Sequence, residues 1–258
     1  MAEEGSFSVG RVFARGAGAV SANLLIVLPI AFLCGALLNN GIARLINPLA
    51  FPLVMSLGYT MGPLIFWPIS IASGAFIGVV TQGAMTRVVA IHASGGRPTL
   101  GAALMSGLTV LFPLLLLATL VAITTVIGTL LLIVPGVIVL VMWSVAASAL
   151  VEERGGILDA LYRSLHLTKG ARWRVLGVEL VLIVLGLIAT ALLTTISLTM
   201  FRIPGPVTNG VVLLRLVPTL AIHTALYAFV PAVKAALYVE LREWKEGPQT
   251  HTLAEVFA

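Results

Sequence analysis

The run Ala102–Val151, AALMSGLTVLFPLLLLATLVAITTVIGTLLLIVPGVIVLVMWSVAASALV, holds fifty residues and no charged side chain. A helix crosses the ~30 Å hydrocarbon of a bilayer with about 20 apolar residues, so this run is too long for one crossing and enough for two joined tightly. Pro135–Gly136 is the natural break, because proline is tolerated in the first turn of a new helix, where its missing N–H has no partner to lose. The reading is span three at about Ala102–Ile127 and span four at about Pro135–Val151.

Working outward, the whole chain has this character. Of 258 residues, 59% are hydrophobic and 10% charged, with mean hydropathy +1.11. A soluble domain carries about a quarter of its residues as charges, so this balance cannot cover a water-facing surface. Span one is expected at about Val20–Leu38, closed by Asn39–Asn40, and span two at about Pro63–Thr86, with Trp67 near one interface. Span five follows at about Val175–Leu198. A turn region with Pro204, Gly205, Pro206 and Asn209 then leads into span six at about Leu213–Val239. Gly41–Gly62 is apolar but interrupted by Asn47, Pro48 and Pro52, and reads as a loop or interfacial helix on the outer side. The expected fold is an all-α polytopic transmembrane bundle of about six spans, one membrane domain over 1–258. No stretch of roughly 100 residues remains for a separate soluble catalytic domain.

Orientation follows from lysine and arginine, which short loops retain on the cytoplasmic side. With six spans one side holds Arg11, Arg15, Arg87, Arg97, Arg154, Arg163, Lys169, Arg172, Arg174, Lys234, Arg242 and Lys245, and the other Arg44, Arg202 and Arg215. Twelve against three places both termini in the cytoplasm, and a seventh span at Gly41–Gly62 would invert most of the twelve. Gly41, Gly128 and Pro206 are then expected outside. The net charge of +5 and pI near 9.9 reflect these loops and their attraction to the anionic inner leaflet. No basic patch interleaved with aromatics points to nucleic acid. Cys34 is the one cysteine and reads as a packing residue. Glu3, Glu4 and the length of the first apolar run argue for a retained span rather than a cleaved signal.

The segment Val151–Gly177, VEERGGILDALYRSLHLTKGARWRVLG, differs from the rest. Ile157, Leu158, Leu161 and Leu165 recur at helical spacing with Asp159, Arg163 and His166 opposite, which predicts an amphipathic helix along the inner interface between spans four and five. Gly170 ends it, and Arg172, Trp173 and Arg174 anchor span five at headgroup level. Arg163, Lys169, Arg172, Trp173 and Arg174 are the candidate lipid- or partner-binding residues. Several residues here resemble the glycerophosphoryl diester phosphodiesterase membrane-domain-like family of bacterial proteins. They are Pro135–Gly136, Trp143–Ser144, Glu152, Ala160–Leu161, Arg163–Ser164, Leu167-Thr-Lys-Gly170 and Trp173–Arg174, with Phe7-Ser-Val-Gly10 and Tyr238–Gly247 at the two ends. The resemblance implies a six-span stand-alone member without the catalytic domain, so phosphodiesterase activity does not carry over. A weak internal echo, Val12–Gly18 before span one and Leu161–Arg174 before span five, fits any cytoplasmic entry into a span.

Glu179 lies inside span five, about seven residues past Arg172 and so ~10 Å deeper. An ionisable group there must face protein or water. His223 in span six approaches the membrane middle from the other side, and the two are the intramembrane polar candidates. Ser70, Gly74 and Gly78 recur every four residues on span two and would let another helix approach closely. The sequence has no Walker loop, no G-x-S-x-G and no H-E-x-x-H, and its four histidines have no metal-ligand spacing. No cofactor and no metal is expected. Three functions stay open. The first is a non-enzymatic, envelope- or lipid-related scaffold or accessory protein that contacts anionic lipid, and a protein partner or a second copy. The others are a small transporter or channel with Glu179 and His223 by its path, and a membrane subunit of a lipid-metabolising enzyme.

Overall fold

A computed structural model describes residues 7–37, 56, 78–201 and 209–247, and every element among them is helical. In chain order these are α1 (Val9–Ala22), α2 (Leu24–Ile30) running into a π-helical turn (Ala31–Leu37), α3 (78–93), α4 (Leu100–Thr109), α5 (Leu111–Leu131), α6 (Ile133–Met142), α7 (Ala146–Glu153), α8 (Ile157–Thr168), α9 (Arg172–Phe201) and α10 (Asn209–Glu246). Four stretches are long and apolar enough to cross a membrane: Leu111–Leu131, Ile133–Glu153, Arg172–Ile196 and Leu216–Glu246. The bent pair α1–α2 makes a fifth if it counts as one span. These are the helices of a multi-pass membrane protein. Residues 38–55, 57–77 and 202–208 lie outside the described set, and with them most of span two, the 41–62 segment, Ser70, Gly74 and most of the 201–210 turn.

The helix that leads into the expected span one begins at Val9, well before Val20. The chain bends by 95° between α1 and α2, at Asn23, whose backbone leaves the helical region. An asparagine amide competes with the helix for backbone partners, and here Asn23 Nδ2 donates to the Ala19 carbonyl at 2.9 Å, satisfying an acceptor that the break would leave open. Upstream, α1 is amphipathic, packing Val12, Gly16 and Ala19 inward. Gly16 is needed for that approach, since a Cβ there would stand 3.1 Å from the Val233 Cα of α10.

The uncharged run folds as four helices: α4 and α5 meet at Val110, α6 and α7 at residues 143–145, and α5 and α6 are joined by a single non-helical residue, Leu132. The break falls three residues before Pro135, which occupies the third position of α6, still within the turn whose N–H groups have no intrahelical acceptor. Gly128 and Gly136 let the helices cross almost backbone to backbone: a Cβ on Gly128 would sit 3.0 Å from the Gly136 nitrogen. Helix α3 runs on through Arg87 to residue 93, and α10 continues past Val239 to Glu246, through Pro218 and Pro231. That extension carries Glu240, Arg242, Glu243 and Glu246.

Three apolar clusters hold the bundle. One joins α1, α9 and α10 through Val12, Val175, Val178, Leu237 and Leu241. Another joins α2, α3, α4 and α10 through Val27, Ile30, Met85, Ala103 and Ala228. The third joins α5, α7 and α8 through Leu114, Leu117, Leu150 and Leu161.

Candidate functional site

The last two turns of α10 are the hub on which the charged end of the bundle is assembled. Arg11 of α1 donates to Glu240 at 2.7 Å, and Arg15, one turn on, reaches Glu243 at 2.7 Å and Glu240 at 3.5 Å. From the other side, Arg163 of α8 bridges Glu153 at 2.6 Å and Glu246. Arg242 pairs with Glu246 at 3.2 Å, and Arg87 with Glu152 at 3.5 Å. The Tyr238 hydroxyl donates to Glu153 at 2.9 Å. Trp244 completes the joint, its ring 6.5 Å from that of Phe7. Trp244 also lies near Gly170, whose φ of +91° favours glycine. Arginines of α1 and α8 are thus docked on one acidic helix end.

These five arginines meet five glutamates, so the network carries no net charge. Partial burial works against the charge of Arg163, but hydrogen bonds to Glu153 and Glu246 outweigh it and push the guanidinium further above its ordinary value. Of the candidate surface residues, Arg163 therefore acts inside the protein. Arg174 donates to the Phe7 carbonyl at 2.9 Å, while Lys169, Arg172 and Trp173 are exposed, Trp173 by 86%. Leu158 and Tyr162 of α8 are exposed too, and its buried stripe is Ala160, Leu161, Ser164, Leu167 and Thr168. That stripe shares only Leu161 with the apolar face expected from the sequence.

A cavity of about 430 Å³ opens at this end between α3, α7 and α10, lined by Arg87, Ser94, Glu152, Tyr238, Arg242 and Glu243. Both signs of charge face it, which suits a dipolar headgroup better than a bare ion. Among the described residues no group of three His, Cys, Asp or Glu stands close enough to hold a metal ion.

Deeper in the bundle, Glu179 is 3% exposed and its Oε1 lies 3.3 Å from Lys234 Nζ. The two candidates do not meet, for His223 is eleven residues, or ~16 Å, from Lys234 along α10. Its Nδ1 is 2.9 Å from the Thr219 carbonyl and its ring lies 6.4 Å from that of Tyr227, tilted by 31°. Gly78 begins the described part of α3, and a Cβ there would meet nothing within 4 Å; the close approach is one turn further on, where a Cβ on Gly83 would lie 2.8 Å from the Gly107 Cα.

Two polar contacts have no counterpart in the sequence reading. Gln82 Nε2 reaches Thr86 at 3.3 Å, Ser148 at 3.4 Å and the Pro231 carbonyl at 3.4 Å, tying α3, α7 and α10 together. At the α1–α2 bend Asn23 contacts His92 Nδ1 at 3.3 Å. A glutamine inside an apolar span was the available signal for the first.

Chemically, the arrangement clamps helices and presents cations at its rim; no nucleophile is paired with a base among the contacts described. The class is a helical multi-pass membrane protein. No family model matches the chain, and no curated protein or solved structure does either.

Proposed function

We propose that the protein is a six-span component of a bacterial cytoplasmic membrane with its ion-paired end toward the cytoplasm. There it holds anionic lipid, as a scaffold or accessory factor in envelope or lipid homeostasis, and performs no chemistry of its own. The reading rests on how charge is divided at that end. The arginines of the network are neutralised by glutamates, while Lys169 and Arg172 stand exposed beside Trp173, at the foot of a helix whose outer face is apolar (Leu180, Val184, Leu187). A tryptophan flanked by cations at the end of an apolar face is the arrangement of a membrane interface. The resemblance to the phosphodiesterase membrane-domain-like family supports a six-span, stand-alone protein, and α8 would be its interfacial helix.

The test is native mass spectrometry of purified protein titrated with an anionic phospholipid. Lys169→Gln/Arg172→Gln should weaken lipid retention roughly tenfold or more, at ~1 kcal/mol per cation, and leave thermal stability unchanged. Arg163→Gln should do the reverse. Full retention by the double variant refutes the assignment.

A second reading, transport, draws on the buried Glu179–Lys234 pair, because ionisable groups at that depth commonly mark ion pathways. Glu179 Oε1 is ion-paired with Lys234 but accepts no hydrogen bond, and the lipid-holding reading is preferred on the exposed Lys169 and Arg172.

A further inference from the structure

Loops between spans ordinarily carry the polar residues that meet water. The turn from α5 to α6 carries none: Leu130, Leu131, Leu132, Ile133 and Val134 are consecutive, and each is between 65% and 81% exposed. Thr129, the hydroxyl nearest the tip, is turned back onto the helix, donating to the Thr125 carbonyl at 2.8 Å, and Thr124 donates likewise to the Leu120 carbonyl at 2.8 Å. Only Leu132 leaves the helical ladder, its N–H still donates to the Gly128 carbonyl at 3.0 Å, and Pro135 removes one of the first-turn N–H groups of α6. The turn thus carries no polar side chain to hold it in water, and only the helix-end backbone groups on either side of Leu132 remain open.

Length points the same way. Glu153, in the ion-paired layer, is twenty residues from Ile133, so the turn stands ~30 Å above that layer, about one hydrocarbon thickness. Helix α10 starts from the same layer, since Arg163 joins Glu153 to Glu246. It continues for 38 residues, ~55 Å, and so overtops the hairpin. The exposed apolar surface of the turn is continuous with that of the helices below it, through Ile123, Val126 and Ile127 on α5 and Val137 and Ile138 on α6.

We propose that the α5–α6 hairpin ends inside the bilayer, its tip Leu130–Val134 solvated by acyl chains of the far leaflet, with no loop presented to water on that side. Spans three and four then reach across the membrane without emerging from it, and Gly128 lies in lipid. The inference rests on the reading of the ion-paired end as the water-facing cytoplasmic end, and the test separates the two.

Replacing the chain's one cysteine by Cys34→Ala allows single nitroxide labels at Leu132→Cys or Leu130→Cys, with Ser94→Cys in the turn after α3 as reference. In liposomes of bacterial phospholipid, collisions with oxygen, which dissolves in hydrocarbon, are compared with those of a water-soluble nickel chelate. The oxygen-to-nickel ratio should be on the order of tenfold or more higher at Leu132 and Leu130 than at Ser94, because desolvation excludes the chelate from hydrocarbon. Nickel access at both tip positions overturns the proposal in favour of an aqueous loop. Neither collider reaching them overturns it in favour of a protein cover, a second copy included. An oxygen-dominated Ser94 instead defeats the orientation of the ion-paired end.

Discussion

Glu240 and Leu131 stand near opposite ends of the bundle, one 4% and the other 74% exposed. Around Glu240 helix α1 is held by charge to α10, and each partner limits what the others can do. Around Leu131 the surface is apolar on all sides, and the two helices meet through their glycines. The comparison teaches that leaving water does not mean entering protein. Both residues are withdrawn from water, but one is surrounded by side chains that must match it and the other by a solvent that need not. A substitution should therefore be felt very differently at the two ends.

The largest effect is expected from Glu240→Ala. It removes Glu240 from Arg11 and one of two acids from Arg15, whose Nη1 is buried. Breaking a buried pair by removing one partner costs about 3 kcal/mol or more; with Arg11 half exposed and Glu243 remaining, roughly 2–3 kcal/mol is the expected loss in thermal unfolding. Amide exchange should accelerate through Val9–Ala22, the helix that loses its anchor. A variant with native exchange there would show that α1 is held by Val12, Gly16 and Ala19 alone, and the charged end would rank as an ordinary packed core.

Next is Glu179→Gln, which leaves Lys234 without its partner. Lys234 is one-third exposed and can turn toward the interface, so the loss should be smaller, about 1–2 kcal/mol by unfolding in detergent. The double variant Glu179→Gln/Lys234→Met should recover most of it, as expected of a structural pair. If the double variant folds stably but abolishes ion flux in proteoliposomes that the native chain supports, the pair belongs to a pathway and the transport reading replaces the lipid-holding one.

The same contrast explains what the sequence could reveal. Hydrophobic periodicity reports which residues leave water and is silent on whether protein or lipid receives them. A helix covers Ile157–Thr168, yet its faces are not those the spacing gives: Leu158 and Tyr162 are exposed and the small residues Ala160 and Ser164 are buried. The turn near Pro135 was legible because proline constrains its own neighbourhood, and it misses by only three residues. The ion pairs were not legible, because Arg11 and Glu240 are 229 positions apart. Counting cations by side gave the basic end without revealing that Arg163 and four other arginines are neutralised there. Asn23 within an apolar run was the local sign of the α1–α2 bend.

The smallest effect should come from the far end. Leu237, 0% exposed between α1 and α10, should lose about 3 kcal/mol on truncation to alanine, from transfer and cavity terms together. Leu131→Ala removes the same atoms from a side chain with little protein around it. In the folded and the unfolded chain alike those atoms would face acyl chains, so no transfer occurs and no cavity is left. Its unfolding midpoint in lipid or detergent should stay within the range of surface substitutions, about ±0.5 kcal/mol. A cost at Leu131 approaching that at Leu237, and growing with protein concentration, would mean that a second copy packs on the hairpin tip and that the two ends are both built by matched contacts.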